Sequence, residues 1–180
     1  MSGFFRDLQA YLDSISFDSV LEAGCGEGKV FEYVTSNYKP SNACAFDLGE
    51  DVVKEARAFL PQYADNIHNK SIYESGYDDE AFDLVICCEV LEHLDNHEKA
   101  LQGINRIAQK YILLSVPKEP LWRVMNMARL KYLKSFGNTP GHINHWSKSK
   151  FIKLVSRYGD ILQIKTPTPW TMVLLQKSSN

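Results

Sequence analysis

The chain is expected to be an α/β protein with a mostly parallel seven-stranded sheet and a C-terminal antiparallel hairpin. Three observations predict this. Short apolar runs of strand length alternate with segments whose apolar residues recur at helical spacing. The first apolar run is followed by a glycine turn that opens a helix. The last two runs are separated by Thr166-Pro167-Thr168-Pro169, which is too short for a parallel crossover and long enough for a hairpin.

Each element follows from local pattern. Residues 4–15 carry apolar side chains at helical spacing and predict a leading helix. Residues 20–23 form the first strand and 29–37 the first crossover helix. Lys39-Pro40-Ser41-Asn42 is a turn. Residues 43–46 make the second strand, which ends at Asp47, and 50–59 a helix with Pro61 beyond its end. A weak third strand is expected at 67–72, a strong fourth at 82–87, a helix at 96–108 and a fifth strand at 111–116, stopped by Pro117. Residues 121–136 predict a basic amphipathic helix, broken by Gly137-Asn138-Thr139-Pro140-Gly141. Ser147 is placed to cap a helix over 148–157, and 161–165 and 171–176 are the hairpin strands.

Bulk properties narrow the function classes. One domain of 180 residues is long enough to bury a core, with a helical, lid-like insertion at about 118–146. A net charge of -2 gives no global signal for nucleic acid. No apolar run approaches a membrane span, and no signal peptide is visible. Cys25, Cys44, Cys87 and Cys88 lie in or beside apolar runs without a C-x-x-C pair. They read as buried free thiols in a cytoplasmic protein, and no metal site is expected.

The chemistry concentrates in Val20-Leu21-Glu22-Ala23-Gly24-Cys25-Gly26-Glu27-Gly28. Strand, glycine turn and helix start make a nucleotide-binding corner. Glu22 at its mouth repels a pyrophosphate and attracts an ammonium group. Asp47 ends the second strand, where an acid in doubly wound folds accepts hydrogen bonds from ribose hydroxyls; its bland alternative is a helix-capping surface acid. The third glycine falls one position earlier than G-x-G-x-x-G requires, which favours S-adenosylmethionine over a dinucleotide.

Together with Phe46-Asp47 and the block from Phe82 to Leu94, F-D-L-V-I-C-C-E-V-L-E-H-L, this corner resembles the class I S-adenosylmethionine-dependent methyltransferases. The small type 11 branch is the most similar, and its fold is a Rossmann-like three-layer sandwich. The resemblance covers residues 20 to about 116. It implies that Glu22 lies near the methionine amino group, that Gly24, Cys25 and Gly26 pass close to the cofactor, that Asp47 holds the ribose and that Leu48 packs on the adenine. Cys88 and Glu89 would line the methionyl end. The family often has an Asp after the third strand; here that position falls on Ser71, with Ile72 beside it as a second adenine neighbour, and a slip in register would bring in Asn69. Asp83 opens its strand at the edge away from the crevice and reads as structural.

S-adenosylmethionine carries an excellent leaving group, so positioning and exclusion of water supply most of the catalysis. A base is required only for an acceptor that must lose a proton. His93 is one candidate base, though E-H-L is also a structural block of the family. His142 and His145, with Trp146, lie in an irregular glycine-flanked segment suited either to an acceptor site or to a loop anchor. Residues 88–91 lack the Asn/Asp-Pro-Pro-aromatic block of amino-nitrogen methyltransferases, so oxygen or carbon is the expected acceptor atom. Leu121, Met125, Ala128 and Tyr132 share one face of the basic helix, widened by Trp122, Leu133 and Phe136. Arg123, Arg129, Lys131 and Lys134 supply its cations. It reads as a lid, or as a peripheral membrane contact for a lipid-linked acceptor. An NAD-dependent oxidoreductase and a non-catalytic partner subunit that keeps the cofactor are the alternatives.

Overall fold

The computed structural model describes residues 2–129, 139 and 141–178. Strands β1 (Ser19–Ala23), β2 (Asn42–Asp47), β3 (Ile67–Asn69), β4 (Phe82–Cys88), β5 (Ala108–Pro117), β6 (Asp160–Lys165) and β7 (Trp170–Gln176) form one sheet. Their order is β3-β2-β1-β4-β5-β7-β6. The first five are parallel, and β7 runs antiparallel to both β5 and β6. The expected parallel sheet and terminal hairpin are therefore both present.

Helices cover both faces. Strand side chains alternate sides, which makes β4 buried throughout. Leu84 and Ile86 face α1 (Ser2–Leu12), α2 (Lys29–Tyr38) and α3 (Glu50–Phe59), meeting Leu8, Phe31 and Val53. Val85 and Cys87 face α4 (His97–Ile107) and α6 (Lys148–Val155), meeting Leu101, Ile104 and Phe151. Asn96 caps α4 by accepting the Lys99 N–H at 3.0 Å. Ser147 caps α6 as expected, accepting from Lys150. The chain reverses winding direction between β1 and β4, which opens a crevice beyond their carboxyl ends.

Some boundaries differ from the sequence expectation. β3 stops at Asn69, not residue 72, because the Asn69 amide donates to the Asp47 and Leu48 carbonyls and the chain turns away. β5 begins at Ala108, not 111: exposed Gln109 and Lys110 hid three residues that still run along the sheet. Of the expected basic helix, α5 (Leu121–Ala128) is described, while residues 130–138, with Tyr132, Leu133, Phe136, Lys131 and Lys134, lie outside the described residues. Thr139 is tied to α5 by donors from Trp122 (2.9 Å) and Asn126 (3.2 Å). Among the described residues no helix is long and apolar enough to cross a membrane. The four cysteines are unpaired; three are buried and Cys44 is half-buried.

Asp83 is structural, as expected. Its Oδ2 accepts the N–H groups of Asp18 (2.8 Å) and Ser19 (3.2 Å), and its Oδ1 pairs with Lys110 at 2.8 Å. Burial alone would raise this carboxyl, but the bonds from Lys110, Asp18 and Ser19 outweigh it and hold the group below its ordinary value. A depressed carboxyl stabilises the fold above its unfolded value, and the contribution is lost as pH falls through the folded one. Asp83→Asn should therefore lower the unfolding free energy by about 1.5–3 kcal/mol at neutral pH. Urea denaturation should show that deficit shrinking in acid.

Candidate functional site

The crevice holds a cavity of about 840 Å³, lined from β1, the glycine turn, the ends of β2 and β4, and the start of β7. It lies within the size range of small-molecule sites. Every cofactor residue expected from the sequence lines it: Glu22, Gly24, Cys25, Gly26, Asp47, Leu48, Ser71, Ile72, Cys88 and Glu89.

Glu22 is on β1 and only 3% exposed, and its Oε2 has no hydrogen-bond partner. Burial pushes its carboxyl well above the usual range, and the charge of Asp47 adds to the effect. An unserved carboxylate oxygen is costly in a dry site, and a cationic ligand group would satisfy it.

The glycine turn is folded onto β2. The N–H groups of Gly24 and Cys25 both donate to the Phe46 carbonyl, at 2.8 and 3.0 Å. Gly28 N–H donates to the Cys25 carbonyl at 2.9 Å, and Gly26 N–H donates to Asp47 Oδ2 at 3.0 Å. These four donors are thus already engaged, so the turn does not present them as a phosphate cradle. Gly24 and Gly26 differ in purpose. A Cβ on Gly24 would overlap Val90 of the loop after β4, and its φ is 79°. Gly26, at φ 53°, faces open space where a ligand can approach the backbone.

Asp47 braces the corner. Its other oxygen, Oδ1, accepts the Gly49 N–H at 3.1 Å. A carboxylate has about four lone-pair sites, so it retains acceptor capacity toward hydroxyls. Next to it, Leu48 is 74% exposed, a large apolar side chain held ready at the cavity rim. Ser71 Oγ accepts the Tyr73 N–H at 3.2 Å, while Asn69 is committed to the Asp47 and Leu48 carbonyls.

Beyond β4 the backbone is strained. Glu89 adopts φ 59°, a left-handed conformation uncommon for residues other than glycine. Its N–H donates to the Ser115 carbonyl. Its Oε1 accepts from Ser115 Oγ (2.9 Å) and its Oε2 from Trp170 Nε1 (2.7 Å). Burial raises the Glu89 carboxyl to about 7, opposed by those two bonds.

The three histidines separate. His93 lines the cavity, and its Nδ1 lies 3.0 Å from the Gly141 carbonyl. His142 is buried behind it, ring to ring at 4.8 Å, and burial lowers it to about 4. Neither His142 nor the exposed His145 is among the residues lining the cavity. Trp146 packs on Phe151 and His97 as a core anchor.

Phe4, Phe5 and Trp170 were missed by the sequence reading, yet they form one wall of the cavity. Phe4 meets Trp170 edge-on at 5.5 Å and Phe5 at 5.7 Å. A signal existed for Trp170. The first residue of an antiparallel strand lies at the carboxyl ends of its parallel neighbours, and Trp170 pairs with Pro117. Nothing in the spacing of residues 4–15 distinguishes the two Phe residues from core.

An orphaned buried carboxylate, an open glycine, an exposed apolar rim and an engaged turn backbone together fit a sulfonium nucleoside with an amino-acid tail. The comparisons agree. Residues 21–111 match the methyltransferase domain family known as Methyltransf_11. A ubiquinone biosynthesis O-methyltransferase of Rickettsia bellii is 29% identical over 109 residues, 59% of this chain and 45% of that protein. The chain thus spans less than half the length of this relative. A SAM-dependent methyltransferase from Aquifex aeolicus superposes with a TM-score of 0.72 at 15% identity, covering 96% of this chain and 90% of the other. Magnesium protoporphyrin IX methyltransferase from Synechocystis PCC 6803, solved with bound SAH, gives 0.70 at 17% identity over 98% and 84%. The chain belongs to the type 11 methyltransferase domain family.

Proposed function

We propose that this enzyme methylates an oxygen atom of a small or lipid-linked acceptor with an apolar, aromatic-compatible body. The observation that carries this is the wall of Phe4, Phe5 and Trp170, which joins the cofactor corner through the Trp170–Glu89 bond. The name of the Rickettsia bellii relative, an O-methyltransferase of ubiquinone biosynthesis, supports oxygen and a lipid-linked acceptor. Carbon is the second reading, since a carbon acceptor needs the same apolar wall.

When bound, the cofactor supplies an electrophilic methyl group on a sulfonium. Glu22 receives the ammonium of its amino-acid tail. Asp47 accepts from the ribose hydroxyls, Leu48 covers the adenine, and Ser71 and Ile72 border it. Gly24, Cys25 and Gly26 supply the backbone floor, with Cys88 and Glu89 at the methionyl end. His93, on the cavity wall, is the residue placed to take a proton from the acceptor. His142 and His145 act from outside the cavity lining. Of the segment expected as a lid on a single domain, the described part is α5, bonded to Thr139 through Trp122 and Asn126, and we read it as covering the cleft. The unpaired cysteines suit the cytoplasm.

Three outcomes are expected. Asp47→Ala should weaken S-adenosylhomocysteine binding roughly 10- to 100-fold, equivalent to about 1.5–3 kcal/mol; unchanged affinity in isothermal titration would remove Asp47 from the ribose. Glu22 should lose a proton when the ligand's ammonium arrives. A raised carboxyl stabilises the ligand-free fold below its unfolded value and loses that contribution as pH climbs toward the folded one. Glu22→Gln should accordingly lower cofactor affinity while leaving the ligand-free protein at least as stable near neutrality. Titrations in buffers of different ionisation enthalpy should show proton release in wild type and none in the variant. Finally, phenolic and quinol acceptors supplied with methyl-labelled cofactor should yield methyl ethers; ring-methylated products alone would transfer the assignment to carbon.

A further inference from the structure

The turn at Leu91–His93 and the segment 141–146 are about fifty residues apart in sequence, yet their backbones are stapled. The Glu92 carbonyl accepts the N–H groups of Ile143 (2.9 Å) and Asn144 (3.0 Å). The Asn144 side-chain amide donates to the Leu91 carbonyl (3.1 Å) and the Leu94 carbonyl (2.6 Å). This joint brings together Glu92, His93 and His142. A carboxylate oxygen of Glu92 and one ring nitrogen from each histidine all lie within 4.8 Å of one another.

Two further observations point to a ligand there. Glu92 is 1% exposed, and its Oε2 has no hydrogen-bond partner. His93 Nδ1 lies 3.0 Å from the Gly141 carbonyl. A carbonyl can only accept, so Nδ1 carries the proton and Nε2 keeps its lone pair. Metal-binding imidazoles are commonly oriented by such a bond. Trp122 stacks on His142 at 6.0 Å, which restricts its ring.

We propose that Glu92, His93 and His142 bind one divalent first-row transition-metal ion. Two imidazoles and a carboxylate suit zinc, iron, cobalt or manganese and leave coordination positions open. Ligand atoms about 2.0–2.2 Å from an ion sit about 3.0–3.5 Å apart, so binding requires the widest pair to close by a little over an ångström. Glu89 is not counted as a fourth ligand, because it lies outside that cluster of three. Its nearby charge still favours a cation. The cysteine spacing could not signal this site, since no cysteine takes part.

His93 also lines the cofactor cavity, so the ion would stand beside the acceptor. This consequence rests on the methyl-transfer reading; the binding itself does not. Held by Glu92, His93 and His142, the ion would supply Lewis acidity that eases loss of the proton from an acceptor hydroxyl to solvent; His93 would then be a ligand, and the base role proposed for it above belongs to the metal-free site. The deprotonated oxygen would take the methyl group while the carbon–sulfur electron pair stays with sulfur.

The test is titration of the chelator-stripped full chain with Co²⁺ and then Zn²⁺, with S-adenosylhomocysteine titrated in parallel. One Co²⁺ per chain is expected, with a visible absorption band that Zn²⁺ abolishes. Glu92→Gln and His142→Ala should each lose at least tenfold in Co²⁺ affinity. So should His93→Ala, whose exposed side chain is the safest of the three to remove without harming the fold. Protein that binds S-adenosylhomocysteine but takes up no stoichiometric Co²⁺ or Zn²⁺ overturns the metal site and leaves methyl transfer standing. A Co²⁺ band that persists in His93→Ala and His142→Ala overturns it equally. Metal uptake without S-adenosylhomocysteine binding would instead sink the methyl-transfer reading.

Discussion

A carboxyl group shut away from water with one oxygen unserved is the constraint around which the cleft is arranged. Glu22 sits on the central parallel strand, where the sheet reverses its winding and the cavity opens. A buried acid of this kind is unfavourable alone and favourable beside a cation. The turn backbone that a phosphate ligand would need is already bonded to Phe46, Asp47 and Cys25. Selection between nucleotides is therefore made twice: a positive charge is wanted at the floor of the site, and the backbone donors are withheld from a negative one.

The second organising feature is that both halves of the cleft are braced by β2 and β4 together. Asp47 holds the glycine turn on one side and the Gly49 turn on the other. Gly24 has no side chain because Val90, from the loop after β4, occupies that space. Glu89 is kept in a left-handed conformation by bonds to β5 and β7. The cavity residues expected to meet the cofactor thus form a cross-linked set drawn from four strands, as preorganised positioning requires.

How much of this the sequence disclosed depends on how local each signal is. α3 was legible to the residue, since Glu50 and Asp51 open it and Pro61 follows its end. Glu22, the glycine turn and Asp47 were legible because each belongs to a strand end with a fixed relation to its neighbours. β3 was overestimated, because the Asn69 clamp that ends it is a contact with β2 rather than a property of residues 67–72. The pairing of residues 91–93 with 141–146 was illegible for the same reason: its bonds all end on main-chain carbonyls of a segment about fifty residues away, and no side-chain pattern announces them. The aromatic wall was hidden because Phe4 and Phe5 obey the same helical spacing as the core residues around them.

The bond from Trp170 to Glu89 ties the outer hairpin to the cavity wall. Trp170 is the first residue of β7, so the rung that begins the antiparallel ladder is also part of the cavity wall. In many open sheets the edge strands can drift without touching chemistry; here they cannot. A terminal hairpin that shifts register at the sheet margin re-aims an indole inside the cleft, so the contour of the cavity and the architecture of the rim change together.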